Sequence, residues 1–263
     1  MLFAVPTMYR DLADAAEADP AVARALSSAR LLVSGSAPMP LRGHRRLEAA
    51  TGRAVLERYG LTETLMNCAE PIWAAARPGS VGPSVPGIEV RLVDEAGRDI
   101  SRASSDEPGE LEVRGPNVFL GYLGGSSNAV TSGGWFRTGD IGTRSPDGWY
   151  RILGRRDTDL IKTGGHRVGA GEVEASLLDH PAVADAAVTG EPDDRLGQRI
   201  VAWVVLRRHV TAEPDALIRH VADTLAPHKR PRSVWFVDEL PRNAMGKVTK
   251  QALGRRAPSY RSK

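Results

Sequence analysis

The sequence has 263 residues, 41% hydrophobic and 25% charged, with a formal net charge of +3. That is a globular composition with room for one large core or two smaller ones, and its 35 Lys and Arg lie dispersed among 32 acidic residues, without the aromatic-interleaved basic stripe of a nucleic-acid binder. A single cysteine, Cys68, excludes an internal disulfide framework, and no apolar run reaches the ~20 residues of a membrane helix. Nothing near Met1 reads as a signal peptide, since the apolar run Leu2–Val5 is short and Asp11 and Asp14 follow it. The expectation is a soluble, cytoplasmic protein with no membrane or nucleic-acid partner.

In chain order, apolar spacing predicts a helix over Pro6–Ala18, with proline in its first turn. A short buried strand, Leu31–Val33, enters the turn Ser34-Gly35-Ser36-Ala37-Pro38. A helix over Leu41–Ala50 and a strand over Ala54–Arg58 follow, an α/β alternation. From Gly82 to Tyr150 the texture is that of a small β-rich subdomain. Its short strands (Ile88–Val93, Gly109–Arg114, Trp149–Leu153) are punctuated by turns such as Asp94-Glu95-Ala96-Gly97 and Ser145-Pro146-Asp147-Gly148. A second change comes at Gly154-Arg155-Arg156-Asp157. Beyond it the pattern predicts a compact α+β unit: helix Gly171–Asp179, strands Val183–Thr189 and Arg199–Leu206, helix Pro214–Leu225 and strand Ser233–Val237. The domain reading is 1–154 followed by 155–263, with a polar basic tail from Arg255 to Lys263 expected to be disordered.

Four polar, glycine-bearing segments stand out. Tyr59-Gly60-Leu61-Thr62-Glu63 offers a ring that can stack on a base, a hydroxyl for a phosphate and a carboxylate for Mg²⁺. Alone, it is better explained as a polar loop with Thr62 capping the next helix. In Trp135-Phe136-Arg137-Thr138-Gly139-Asp140 the carboxylate matches two vicinal ribose hydroxyls, or else caps backbone amides in a hairpin loop. The run from Gly154-Arg155-Arg156-Asp157 through Lys162-Thr163-Gly164-Gly165-His166-Arg167 to Glu172 pairs adjacent glycines with forked guanidinium donors. It also fits an exposed basic hairpin at a domain junction. Pro241-Arg242-Asn243-Ala244-Met245-Gly246-Lys247 carries a lysine on a glycine-loosened loop, deliverable to a reacting phosphate or simply solvated.

Together and in this order, the four resemble the adenylate-forming superfamily of acyl-CoA synthetases, adenylation domains and luciferases, over Pro6 to about Leu253. The resemblance implies the C-terminal part of the large adenylate-forming domain, an α/β layer with a small β subdomain, followed by a small α+β lid domain. It implies an ATP-dependent acid–CoA ligase using ATP, Mg²⁺ and coenzyme A. Ser36, Ala37 and Pro38 would form the adenine-binding segment, Tyr59 would stack on adenine, and Gly60 beside it would belong to the same nucleotide-binding set. Thr62 would touch the α-phosphate, Glu63 would hold the metal, and Asp140 and Arg155 would meet the ribose. Lys247 would be the lid lysine at the reacting carboxylate and phosphate, and Asp157 the hinge. Gly164, Gly165, His166 and Arg167 would line the CoA tunnel. Within the family, Thr62–Asn67 and Gly165–Glu172 look most like malonyl-CoA synthetases. Met66 would then limit an acyl pocket for a small acid such as malonate or methylmalonate.

The family's Ser/Thr/Gly-rich phosphate loop does not occur in these 263 residues. Three expectations follow from that difference: a fragment of a longer enzyme, a polypeptide that pairs with a separate N-terminal half, or a catalytically inactive module that binds nucleotide or a partner. Intact motif residues favour the first.

Overall fold

The structure is a computed structural model, and it describes residues 1–101, 107–123, 130–243 and 248–253. The chain divides into two compact units, Met1–Ile152 and Leu153–Lys263.

The first unit begins with three parallel strands, β1 (Leu2–Ala4), β2 (Leu32–Ser34) and β3 (Val55–Leu61), and β4 (Leu65–Ala69) returns antiparallel to β3. Helices α1 (Pro6–Ala18), α2 (Pro20–Ser27) and α3 (Leu41–Thr51) connect the parallel strands. Proline at the first turn of α1 and α2 removes an N–H that would lack a helical partner there, and the Asp19 carboxylate accepts the Ala21 N–H at 2.7 Å to cap α2. Gly52, at φ 67°, ends α3. Tyr9, Ala13, Leu26, Leu32, Leu47 and Val55 bury the facing surfaces of this layer. The Tyr9 hydroxyl donates to the carbonyls of Leu2 (3.2 Å) and Val33 (3.1 Å), joining α1 to two strands.

A second sheet holds β5 (Glu89–Val93), β6 (Gly109–Arg114), β7 (Phe136–Arg144) and β8 (Tyr150–Arg155) in sequence order, with β5–β6 and β6–β7 antiparallel. Its core is Tyr59, Cys68, Val81, Leu92, Leu111 and Tyr150. The Cys68 thiol lies in that core with its pKa pushed up by burial, which suits an inert packing residue.

The second unit is built on the hairpin β9 (Leu160–Thr163) and β10 (His166–Gly169), with α4 (Ala170–Asp179), the long antiparallel pair β11 (Val183–Asp193) and β12 (Gly197–Leu206), α5 (Pro214–Thr224) and β13 (Ser233–Phe236). The sheet order is β10-β9-β12-β11, and β13 pairs parallel to β12. One face packs Val173, Leu177, Val188, Ile200, Leu217 and Val221. The other packs Ala187, Val201, Trp203, Leu240 and Leu253.

Two expectations are corrected. No helix follows Thr62: Tyr59-Gly60-Leu61 continues β3, and the chain turns back as β4, because Asn67 and Cys68 are needed inside on the return. Phe136–Asp140 is not a hairpin loop but the first half of β7, whose buried Phe136, Thr138 and Asp140 alternate with Arg137 and Gly139. Among the described residues, no helix is long and apolar enough to cross a membrane.

Candidate active site

In the first unit, the residues expected at the nucleotide lie in the segments that follow β2 and β3, on β3 itself and in the middle of β7. Beyond β2 the chain passes through Gly35 into the exposed turn Ser36–Pro38. Ser36 takes φ 74°, a conformation that costs a side-chain-bearing residue about 1 kcal/mol or more. Met39 then returns to the core, 3% exposed, and its N–H donates to Glu57 Oε2 at 3.2 Å.

The β3–β4 connection carries Thr62 and Glu63. Gly60 is required there, since a Cβ would lie 1.8 Å from the Leu65 carbonyl oxygen. The Thr64 N–H closes the turn on the Leu61 carbonyl at 3.2 Å, and Leu65 adopts φ 50°. Thr62 is exposed, Glu63 and Met66 half-buried. The segment after β6 clamps this turn at three points. Asn117 Nδ2 donates to the Thr64 carbonyl at 2.5 Å, the Phe119 N–H to the Glu63 carbonyl at 2.8 Å, and the Tyr122 hydroxyl to Glu63 Oε1 at 2.8 Å.

Tyr59 and Asp140 meet. The Tyr59 hydroxyl donates to Asp140 Oδ2 at 2.6 Å across 81 positions of sequence, with the two residues 8% and 5% exposed. The Asp140 N–H donates to Thr138 Oγ1 at 3.0 Å, and that hydroxyl donates to the Leu111 carbonyl at 2.8 Å, so the carboxylate's backbone is fixed from β6. Burial and the Asp140 charge push the Tyr59 phenol far above its ordinary range, so it stays a neutral donor. A carboxylate oxygen has two acceptor sites, so the Asp140 group can accept more than one hydrogen bond.

In the second unit, Arg155, Arg156, Asp157 and Thr158 are exposed around a turn. The Asp159 N–H donates to the Arg155 carbonyl at 2.8 Å, and the Arg155 N–H to Asp159 Oδ2 at 3.1 Å. Gly164 and Gly165, at φ 56° and 81°, are the two-residue loop of the β9–β10 hairpin, the left-handed pair such a turn needs. The loop presents His166 to solvent, its ring stacked on His228 at 4.0 Å and 15°. Lys229 beside it pairs with Glu172 of α4 at 2.6 Å. Lys247 lies outside the described residues. Three positions on, the Lys250 ammonium bridges Asp159 (2.6 Å) and Glu174 (2.8 Å). Burial pushes the Glu174 carboxyl up despite that cation.

Several residues of this architecture were not singled out in the sequence: His44, Glu57, Glu70, Asn117 and Tyr122. Glu57 had a legible signal, the inward alternation Val55, Glu57, Tyr59 in one strand, where a carboxylate must find donors. Asn117 and Tyr122 depend on a contact between segments more than 50 residues apart, which no local pattern encodes.

Comparison with known proteins bears on the family and the fold. Residues 1–123 match the model of the AMP-binding enzyme family, and residues 172–247 that of the AMP-binding enzyme C-terminal domain. The chain is 40% identical to the mitochondrial malonate–CoA ligase ACSF3 of Mus musculus, covering 96% of this chain and 48% of that protein. It is 35% identical to a malonate–CoA ligase of Arabidopsis thaliana, covering 95% and 43%. Among solved structures, ATP-bound MatB from Rhodopseudomonas palustris superposes with a TM-score of 0.82 at 39% identity, covering 96% of this chain and 50% of that one. A malonyl-CoA ligase product complex with methylmalonyl-CoA and AMP is 52% identical, with a TM-score of 0.55, covering 92% and 52%. The chain thus spans about half the length of the curated relatives it matches. It belongs to the AMP-binding, adenylate-forming enzyme family, and its fold is that of the family's large-domain C-terminal part and lid.

Proposed function

We propose that the chain carries the adenine, ribose and lid elements of an ATP-dependent acid–CoA ligase acting on a small carboxylic acid such as malonate or methylmalonate. The observation that carries this reading is the buried Tyr59–Asp140 hydrogen bond, which sets the base-stacking ring beside the ribose carboxylate. In the first step the acid's carboxylate attacks the α-phosphorus of ATP and pyrophosphate leaves. In the second the CoA sulfur attacks the acyl-adenylate carbonyl and AMP leaves.

Asp140 accepts the ribose hydroxyls, Thr62 donates to the α-phosphate, and the Ser36–Pro38 segment lies along adenine. Among the described residues no cluster of three or more His, Cys, Asp or Glu could cage a metal. A magnesium ion bound mainly by nucleotide phosphates and water needs a single protein carboxylate, and Glu63, half-buried and oriented by Tyr122, fits that part. Lys247 relieves the repulsion between the attacking carboxylate and the polyphosphate, a contact whose loss costs ~10²–10³ in rate. Asp157 is the hinge at which the lid changes pose. Arg155 assists at the ribose, and Gly164–Arg167 line the CoA path, with Arg167 near its phosphates. Met66 bounds the acyl pocket. This reading places the protein in the cytoplasm, a reducing compartment suited to a lone thiol, although the vertebrate relatives are named as mitochondrial.

Malonate-dependent ATP–pyrophosphate exchange tests the proposal, run with the chain alone and with the N-terminal half of a relative added. Exchange under either condition supports it, and loss of that exchange in Lys247→Ala assigns the lysine. No exchange under either condition, with AMP still binding, would make the chain a nucleotide-binding module.

A further inference from the structure

Glu57 is 3% exposed and collects donors from three separate stretches of chain. The Met39 N–H donates to Oε2 at 3.2 Å and the Gly79 N–H to Oε1 at 2.7 Å. His44 of α3, as its Nε2–H tautomer, donates to Oε1 at 3.1 Å. Glu70 locks the same strand from the other side. Its Oε2 accepts the Glu57 N–H at 2.8 Å, its own N–H donates to the Glu57 carbonyl at 3.1 Å, and its Oε1 accepts the Arg77 N–H at 2.6 Å. Two buried carboxylates are costly unless their oxygens are satisfied, and here each oxygen of both has a donor.

Through Met39, Glu57 anchors the chain where it leaves the turn Ser36–Pro38. That turn carries backbone strain at Ser36 and runs straight into Met39, the residue Glu57 grips. Tyr59 follows Glu57 two residues along the same face of β3. We infer that Glu57 is a positioning residue of the nucleotide site: it ties the adenine segment to the strand that delivers the adenine-stacking ring, without itself touching ligand. The inference rests on the proposed adenine role of Ser36–Pro38 and Tyr59. Both oxygens face donors, so an amide in place of the carboxylate would point its NH₂ at one of them.

The test is calorimetric titration of the full chain with AMP and with UMP, which shares ribose and phosphate but lacks adenine. E57Q weakens AMP by about tenfold or more while UMP changes by less than about twofold, so base preference collapses. H44L moves the same way, whereas H44Q, which keeps an N–H donor, retains the preference. This pair answers the question even where E57Q does not fold. Equal AMP affinity in wild type and the variants overturns the inference, as does parallel weakening of AMP and UMP, which a purely structural role would give. A wild-type chain that binds no AMP overturns the adenine-site reading itself, and the inference falls with it.

Discussion

In the unit Met1–Ile152, two of the residues assigned to the nucleotide are inside and bonded, Tyr59 to Asp140 and Asp140 to Thr138, and the exposed Ser36–Pro38 turn is anchored just behind it, where Met39 meets buried Glu57. In the unit Leu153–Lys263, Arg155, Asp157 and Gly164–His166 are exposed on turns, positioned by backbone geometry more than by buried partners. Substitution of the buried pair in the first unit should therefore lower stability as well as ligand affinity. In the second unit, substitution should report on binding almost alone.

Glycine substitutions set the two units against each other most sharply. Gly60→Ala drives a Cβ to within 1.8 Å of a backbone carbonyl oxygen and should lower unfolding stability by about 3 kcal/mol or more. Gly165→Ala meets nothing within 4 Å and bears only the left-handed φ of 81°, so about 1 kcal/mol is expected. Chemical denaturation of both variants measures the difference, and equal losses would break the comparison.

Lys250→Met probes the place where the second unit departs from the pattern. It strands Asp159 and Glu174 without their shared cation. The three side chains keep about a fifth of their surface exposed, so the loss should be about 2 kcal/mol, below the ~3–5 kcal/mol of a fully buried pair. A loss near zero in thermal unfolding would place this trio with ordinary surface charges.

The smallest effect is pH-dependent. Tyr59 has its folded pKa raised far above the ordinary 10.0 by burial and by Asp140, and Tyr9 and Tyr150 are pushed up to about 12, chiefly by burial. A raised folded pKa contributes stability that is complete below the unfolded pKa and is lost as pH climbs from about 10 toward the folded value. Each tyrosine adds a slope of at most ~1.4 kcal/mol per pH unit. Tyr59→Phe should flatten the alkaline slope by about one such contribution, read from denaturation midpoints between pH 9 and 11 (about one unit either side of the ordinary tyrosine value). An unchanged slope would mean that Tyr59 is not held neutral by its surroundings.

The helices α1, α3, α4 and α5 and the long strands of the second unit were legible because proline starts, apolar periodicity and terminal glycine act within a single segment. The strand character of Phe136–Asp140 was hidden by its polar, glycine-containing surface, since Thr138 and Asp140 are inward residues whose burial depends on partners far off in sequence. The hairpin β9–β10 was foreshadowed by Gly164-Gly165. The motif residues could be named from order and type. The network behind them, Glu57 with His44 and Glu70, and Asn117 with Tyr122 around Glu63, exists only once distant segments have packed.

The central claim is that the Met1–Ile152 unit carries a nucleotide site centred on Asp140, and titration of the full chain with AMP tests it most directly. The account predicts saturable binding to the wild-type chain. It also predicts a loss of roughly ten- to hundredfold in Asp140→Ala, the worth of charge-assisted hydrogen bonds to the ribose, in a protein still folded by circular dichroism. AMP affinity unchanged by Asp140→Ala would contradict it.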